Sequence, residues 1–213
     1  RDRLRSRGLG DVYKRQAVAI VVAILLIDQI IKIEVKTNMT LGEAKRVTDW
    51  FYIEFIENNG MAYGMKFINK LVLSLFRLFA IGFIGYYLAK IIKKNVAPLG
   101  YIVLIAMVLA GAAGNLIDCL FYGLIFDAST PFTVSQFVPF GEGYSTILHG
   151  KVVDMFYFPI IQTTWPECVP YFGGSEYVFF SPVFNFADAC ISVGVVALLL
   201  FYRKQLEVLF SNK

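Results

Sequence analysis

Four stretches of this chain are apolar over lengths that match a lipid bilayer, and no other feature limits its possible folds so strongly. They cover residues 17–35 (AVAIVVAILLIDQIIKIEV), 71–92, 97–121 and 183–202. A hydrocarbon layer about 30 Å thick is crossed by about 20 helical residues, and only a helix satisfies its own backbone there. A hydrophobic content of 57% and a mean hydropathy of +0.62 agree with a membrane protein and argue against a soluble domain. The expected fold class is an all-α polytopic membrane protein with four transmembrane helices, forming one membrane domain over residues 17–213. Residues 1–16 (RDRLRSRGLGDVYKRQ) hold six of the 20 basic residues and have no apolar period, so they are expected to be an unstructured or non-native leader. Without them the chain carries 14 basic and 14 acidic residues, so the formal charge of +4 says little about partners. No nucleic-acid partner is expected.

Lysine and arginine in short loops orient such a chain. Lys90, Lys93 and Lys94 lie where the second stretch ends and joins the third, and Arg203, Lys204 and Lys213 follow the fourth. Both regions are expected in the cytoplasm, with the N-terminus on the same side. Lys36, Lys45, Arg46, Lys66 and Lys70 count against this assignment. Two outer segments remain, 36–70 and 123–182. The first alternates polar and apolar residues in WFYIEFIEN and predicts a small extracytoplasmic sheet, or cradle, resting on the membrane. The second is a long aromatic-rich loop holding six of the seven prolines, which exclude continuous helix. A loop this long usually has a function.

On this topology the intramembrane carboxylates fall in one leaflet. Asp28 and Lys32 lie toward the outer end of the first helix, Asn115 and Asp118 toward that of the third. Asn185 and Asp188 open the fourth helix, Asp154 lies in the outer loop, and Asn58 and Gly60 lie in the first outer segment. Plain structural roles exist for most of them. Asp28 and Lys32, four apart, neutralise each other. Asn115 and Asp118 follow AGAAG, whose small residues permit close helix packing. Asn58 and Gly60 suit a turn, and Asn185 and Asp188 suit a helix cap. Asp154 and Asp188 are harder to explain away. Two carboxyls brought together share one proton, and such a pair can hydrolyse a peptide with water alone. A proton relay uses the same residues, so a small proton-coupled transporter or channel subunit is the alternative. A non-catalytic scaffold is a third reading. One histidine, His149, and three cysteines in no ligand spacing make a metal site or a serine triad improbable, and no cofactor is expected.

The order DQIIK (28–32), NNGMAYG (58–64), GAAGNLID (111–118), VVD (152–154) and FNFADACI (184–191) resembles lipoprotein signal peptidase, also called signal peptidase II. The resemblance implies a four-helix aspartic endopeptidase of the bacterial cytoplasmic (inner) membrane, with its site near the outer face. Its substrates would be diacylglyceryl-modified prolipoproteins, cut just before the lipid-modified cysteine, and globomycin-type cyclic peptides would bind the same cleft amid membrane lipids. By motif, Asp154 and Asp188 match the catalytic pair. Asp28, Lys32, Asn58, Gly60, Asn115, Asp118 and Asn185 match positions that order the site or contact substrate. Two departures stand out. Cys119 occupies the place where the family usually has arginine, so a basic contact to the substrate is either missing or comes from elsewhere, with Lys151 the candidate. The stretch between Asp118 and Asp154 is also longer than the family minimum and reads as an inserted lid or cap.

Overall fold

The computed structural model describes residues 2–59, 70–94 and 96–210. Helix α1 (Asp2–Asn38) includes the stretch expected to be an unstructured leader. The helix runs on through this stretch because extending an existing helix gains about one hydrogen bond per residue fixed, and Arg and Leu are good helix formers. Tyr13 also packs on the cluster of Ala17, Leu88, Ile91, Tyr101 and Ala106.

Helix α2 spans Lys70–Lys94 and α3 spans Leu99–Ile117, starting after Pro98. A single π-helical turn, Asp118–Tyr122, leads into the short α4, Gly123–Ile125. Lys70–Lys94 and Leu99–Ile125 are long and apolar enough to cross a membrane. Helix α5 (Phe186–Phe201) is apolar but has 16 residues, shorter than the expected 183–202. It starts late because Phe184 is held in an extended bridge to Phe156 and Asn185 caps the helix. Helix α6 (Arg203–Phe210) follows the break at Tyr202.

α3 is the central helix, packed on α1, α2 and α5. Its small residues permit this: a methyl group on Gly114 would lie 2.6 Å from Asp28 Oδ2 and 3.3 Å from Ala187 Cβ. One on Gly111 would run into the Ala187 carbonyl and lie 2.8 Å from Ile191 Cγ1.

The outer segments build two sheets, where one small sheet was expected. Strands β1 (Ala44–Thr48), β2 (Phe51–Asn58) and β3 (Val152–Tyr157) form an antiparallel sheet in that order. β1 and β2 lie where alternation predicts a sheet. β3 comes from the long outer loop, and its continuous burial hides the period: Val152 to Met155 are all buried, Asp154 among them. Strands β4 (Ile161–Thr164) and β5 (Glu176–Phe179) make a separate antiparallel pair. The inner face of the larger sheet places Phe55, Val153 and Met155 against Val35, Met39, Tyr122 and Phe126.

Residues 126–150 fold back on the π-helical turn and α4. Val138 N–H donates to Ile125 (2.9 Å), Tyr144 to Phe126 (2.9 Å), Ser145 to Gly123 (2.8 Å) and Gly150 to Cys119 (3.0 Å). The inserted segment is therefore a hydrogen-bonded cap on the helix ends.

Candidate active site

Asp154 sits on β3 opposite Ile56 of β2, and Asp188 lies in the first turn of α5. Asn185 joins them. Its Nδ2 donates to Asp154 Oδ1 at 2.7 Å, to Val153 O at 3.2 Å and to Asn115 Oδ1 at 3.1 Å. Its Oδ1 accepts the Asp188 N–H at 2.9 Å. Asn185 is thus the helix cap, and the Asp188 carboxylate is released from that role. Asn115 Nδ2 donates to Asp188 Oδ1 at 2.7 Å. Asn58 Nδ2 reaches the other oxygen of Asp154 at 3.1 Å.

Beneath this pair lies a buried charge cluster. Lys32 Nζ contacts Asp28 Oδ2 at 2.9 Å, Asp118 Oδ2 at 2.8 Å and Asn115 Oδ1 at 2.9 Å, with all three charged side chains fully buried. Asp28 Oδ1 accepts the Ala187 N–H at 3.0 Å, so α1 helps cap α5 in trans. Asp118 Oδ2 accepts Val153 N–H at 3.4 Å, tying the end of α3 to β3. Removing one member of such a cluster strands a charge in a dry interior, at about 3–5 kcal/mol.

Sequence reasoning missed several contributors. Gln29 Nε2 donates to Asp118 Oδ1 (2.9 Å) and Asp28 Oδ2 (3.1 Å), and its Oε1 accepts from the Tyr122 hydroxyl (3.1 Å). An amide within an apolar run was the signal for it. Lys151, the candidate basic contact, pairs with Glu57 at 2.7 Å. The cation at Cys119 comes from α2 instead, with Arg77 Nη1 donating to Cys119 Sγ at 3.4 Å. Gly60 lies outside the described residues. Asp28, Lys32, Asn58, Asn115, Asp118, Asp154, Asn185 and Asp188 form one hydrogen-bonded network.

The electrostatics distinguish the two carboxyls by access. Asp154 is 2% exposed, whereas Asp188 is only partly buried. Burial, and then the neighbouring Asp188 charge, lift Asp154 from the ordinary 3.8 to about 7, against opposing bonds from Asn58 and Asn185. A carboxyl held near neutrality beside a second one can carry a proton or release it under ordinary conditions.

A family model described as signal peptidase (SPase) II matches residues 20–203. The chain belongs to the signal peptidase II family. It is 48% identical over 195 residues to the lipoprotein signal peptidase of Porphyromonas gingivalis, covering 92% of this chain and 86% of that one. It is 33% identical to the lipoprotein signal peptidase of Amoebophilus asiaticus, covering 92% and 80%. Two solved bacterial membrane enzymes share the fold. One has a TM-score of 0.60 at 23% identity, with 93% of each chain covered. The other has a TM-score of 0.57 at 24% identity, with 87% of this chain and 90% of that one covered. Signal peptidase II membership makes the chain a membrane protease of lipoprotein processing, and the transporter alternative has no support beside it.

Proposed function

We propose that the protein is an aspartic endopeptidase that removes the signal peptide from diacylglyceryl-modified prolipoproteins, cutting just before the lipid-modified cysteine. Asp154 and Asp188 are the catalytic pair. The observation that carries this reading is the joining of both carboxyls through Asn185 and Asn115 at the point where β3 meets the start of α5.

The pair holds one proton between them. The ionised carboxylate takes a proton from a water molecule as its oxygen attacks the scissile carbonyl carbon. The protonated carboxyl donates to the carbonyl oxygen as the tetrahedral intermediate forms. When the intermediate collapses the C–N bond breaks, the proton taken from water passes to the leaving amine, and the proton given to the carbonyl oxygen returns to the pair as the C=O re-forms. Asn58, Asn115 and Asn185 fix both carboxyls through donated N–H bonds. Lys32 neutralises part of the buried negative charge of Asp28 and Asp118.

Four membrane spans in the bacterial inner membrane, with both termini cytoplasmic and the site near the outer face, complete the proposal. Such a site meets the end of a signal-peptide helix, and a diacylglyceryl substrate reaches it laterally from lipid. Membrane lipids and globomycin-type inhibitors belong to the same reading. The test is cleavage of a synthetic diacylglyceryl lipobox peptide by purified protein in nanodiscs, beside Asp154→Asn and Asp188→Asn. Cleavage before the modified cysteine by wild type alone is expected. Full activity in either variant refutes the assignment.

A further inference from the structure

A second buried ionic cluster lies on the far side of the sheet from the catalytic pair. Lys36, in the last turn of α1, is fully buried and contacts Glu57 Oε1 at 2.5 Å. Ser129, from the inserted cap, donates to the same oxygen at 2.8 Å and accepts from Lys36 Nζ at 2.8 Å. Lys151 takes the other carboxylate oxygen at 2.7 Å. Three aromatic rings, Phe55, Phe126 and Tyr144, surround the Lys36 ammonium at 5.2–5.8 Å, and the Tyr144 hydroxyl accepts the Lys151 N–H at 2.6 Å. Burial pushes Glu57 up, but the two lysines outweigh it and hold the carboxyl below its usual range. The cluster unites α1, β2, the cap and the entry to β3.

Glu57 immediately precedes Asn58 on β2. Successive strand residues face opposite sides of a sheet. Glu57 pairs in register with Val153 on the core side, while Asn58 reaches Asp154 at 3.1 Å on the other. One residue fastens the strand and the next touches the carboxyl.

We propose that Glu57, clamped between Lys36, Lys151 and Ser129, is a positioning residue that holds Asn58 against Asp154 and so couples the inserted cap to catalysis. The proposal rests on the catalytic assignment of Asp154 made above. The bond from Asn58 favours ionised Asp154, so its loss raises the pH at which Asp154 gives up its proton. A purely electrostatic role for Glu57 has the opposite sign, because Glu57→Gln leaves two lysines uncompensated and favours ionisation. The other charged groups about Asp154, namely Asp188 on α5, Lys32 on α1 and Asp118 after α3, are unchanged by the substitution.

The experiment measures kcat, KM and pH profile for Glu57→Gln, Asn58→Ala and the double variant, with Asp154→Asn in parallel. Glu57→Gln is expected to lower kcat about tenfold, the worth of one hydrogen bond to a charged group, with KM little changed. The limb assigned to Asp154 moves to higher pH, and the double variant is no slower than Asn58→Ala alone. Wild-type kcat and pH limb in Glu57→Gln, a limb that moves down, or losses that multiply in the double variant overturn the proposal. If Glu57→Gln does not fold, Ser129→Ala decides on the same cycle, since it removes one bond to Glu57 and leaves both ion pairs. Activity that survives Asp154→Asn overturns the catalytic assignment instead.

Discussion

Replacing Asp154 with asparagine is expected to abolish cleavage and, at alkaline pH, to stabilise the protein. In the fold this carboxyl is 2% exposed and its pKa is lifted from 3.8 to about 7. The native state therefore holds the proton more tightly than the unfolded chain. Wild-type stability is greatest below the unfolded value and falls as pH rises through the folded one. At about 1.4 kcal/mol for each tenfold in proton affinity, the loss approaches about 4 kcal/mol once the pH exceeds both values. Asparagine cannot ionise and escapes that loss. It has one acceptor where the carboxylate has two, so the Asn58 amide must turn over or lose its bond, at about 1–2 kcal/mol. A net gain of about 2 kcal/mol follows at alkaline pH, a rise of about 4–8 °C in Tm for a chain of this size. The assay is thermal unfolding in detergent, followed by tryptophan fluorescence at about pH 4, 6 and 8.5, with cleavage measured in parallel. The Tm gap between variant and wild type should open with rising pH. An inactive variant whose Tm deficit is the same at all three pH values would refute the account of Asp154 as a carboxyl held protonated by burial and by Asp188.

Three other perturbations follow from the same geometry. Lys32→Met strands Asp28 and Asp118 together in the interior and should cost about 3–5 kcal/mol, read as lost folded yield and lower Tm. Gly114→Ala places a methyl group 2.6 Å from Asp28 Oδ2. It should cost about 1–3 kcal/mol by the same assay, whereas Gly82→Ala, with nothing within 4 Å of the added carbon, should be silent. Glu57 is held below its usual range, so its contribution is present above the ordinary 4.5 and is lost as pH falls through the folded value. The Tm deficit of Glu57→Gln should therefore be full at neutral pH and shrink on acidification, opposite in sign to the trend for Asp154→Asn.

The apolar helices α2 and α3 were readily legible because lipid imposes one demand on every residue of a span, and a run of apolar residues reports it directly. Asp28, Lys32, Asn115, Asp118 and Asn185 were legible for the converse reason: polar groups in such runs need partners. Strand β3 was not legible, since Val152, Val153 and Met155 are buried with Asp154 between them and no alternation survives. The second sheet was hidden by prolines and aromatic residues that fit a loop equally well. Glu57 and Lys36 were not legible as buried groups because each lies at the edge of an apolar segment, where a charged residue normally meets solvent. The folded cap, through Ser129 and Tyr144, helps to bury them. The residues missed are those whose environment is made by chain distant in sequence.

The amides between Lys32 and the proposed catalytic pair answer a physical problem. A lysine placed directly against Asp154 and Asp188 would favour ionisation of both and expel the proton that the chemistry requires. Without any cation, four carboxyls would crowd one dry volume. The structure separates these needs. Lys32 is paired with Asp28 and Asp118, and its hydrogen-bonded link toward the pair runs through Asn115, whose Oδ1 accepts from Lys32 while its Nδ2 donates to Asp188. An amide relays orientation without relaying a full charge. Asn185 does the same on the other side, capping α5 with its oxygen and holding Asp154 with its nitrogen. Both carboxyls are thereby fixed in place by neutral donors, and one of them can stay protonated.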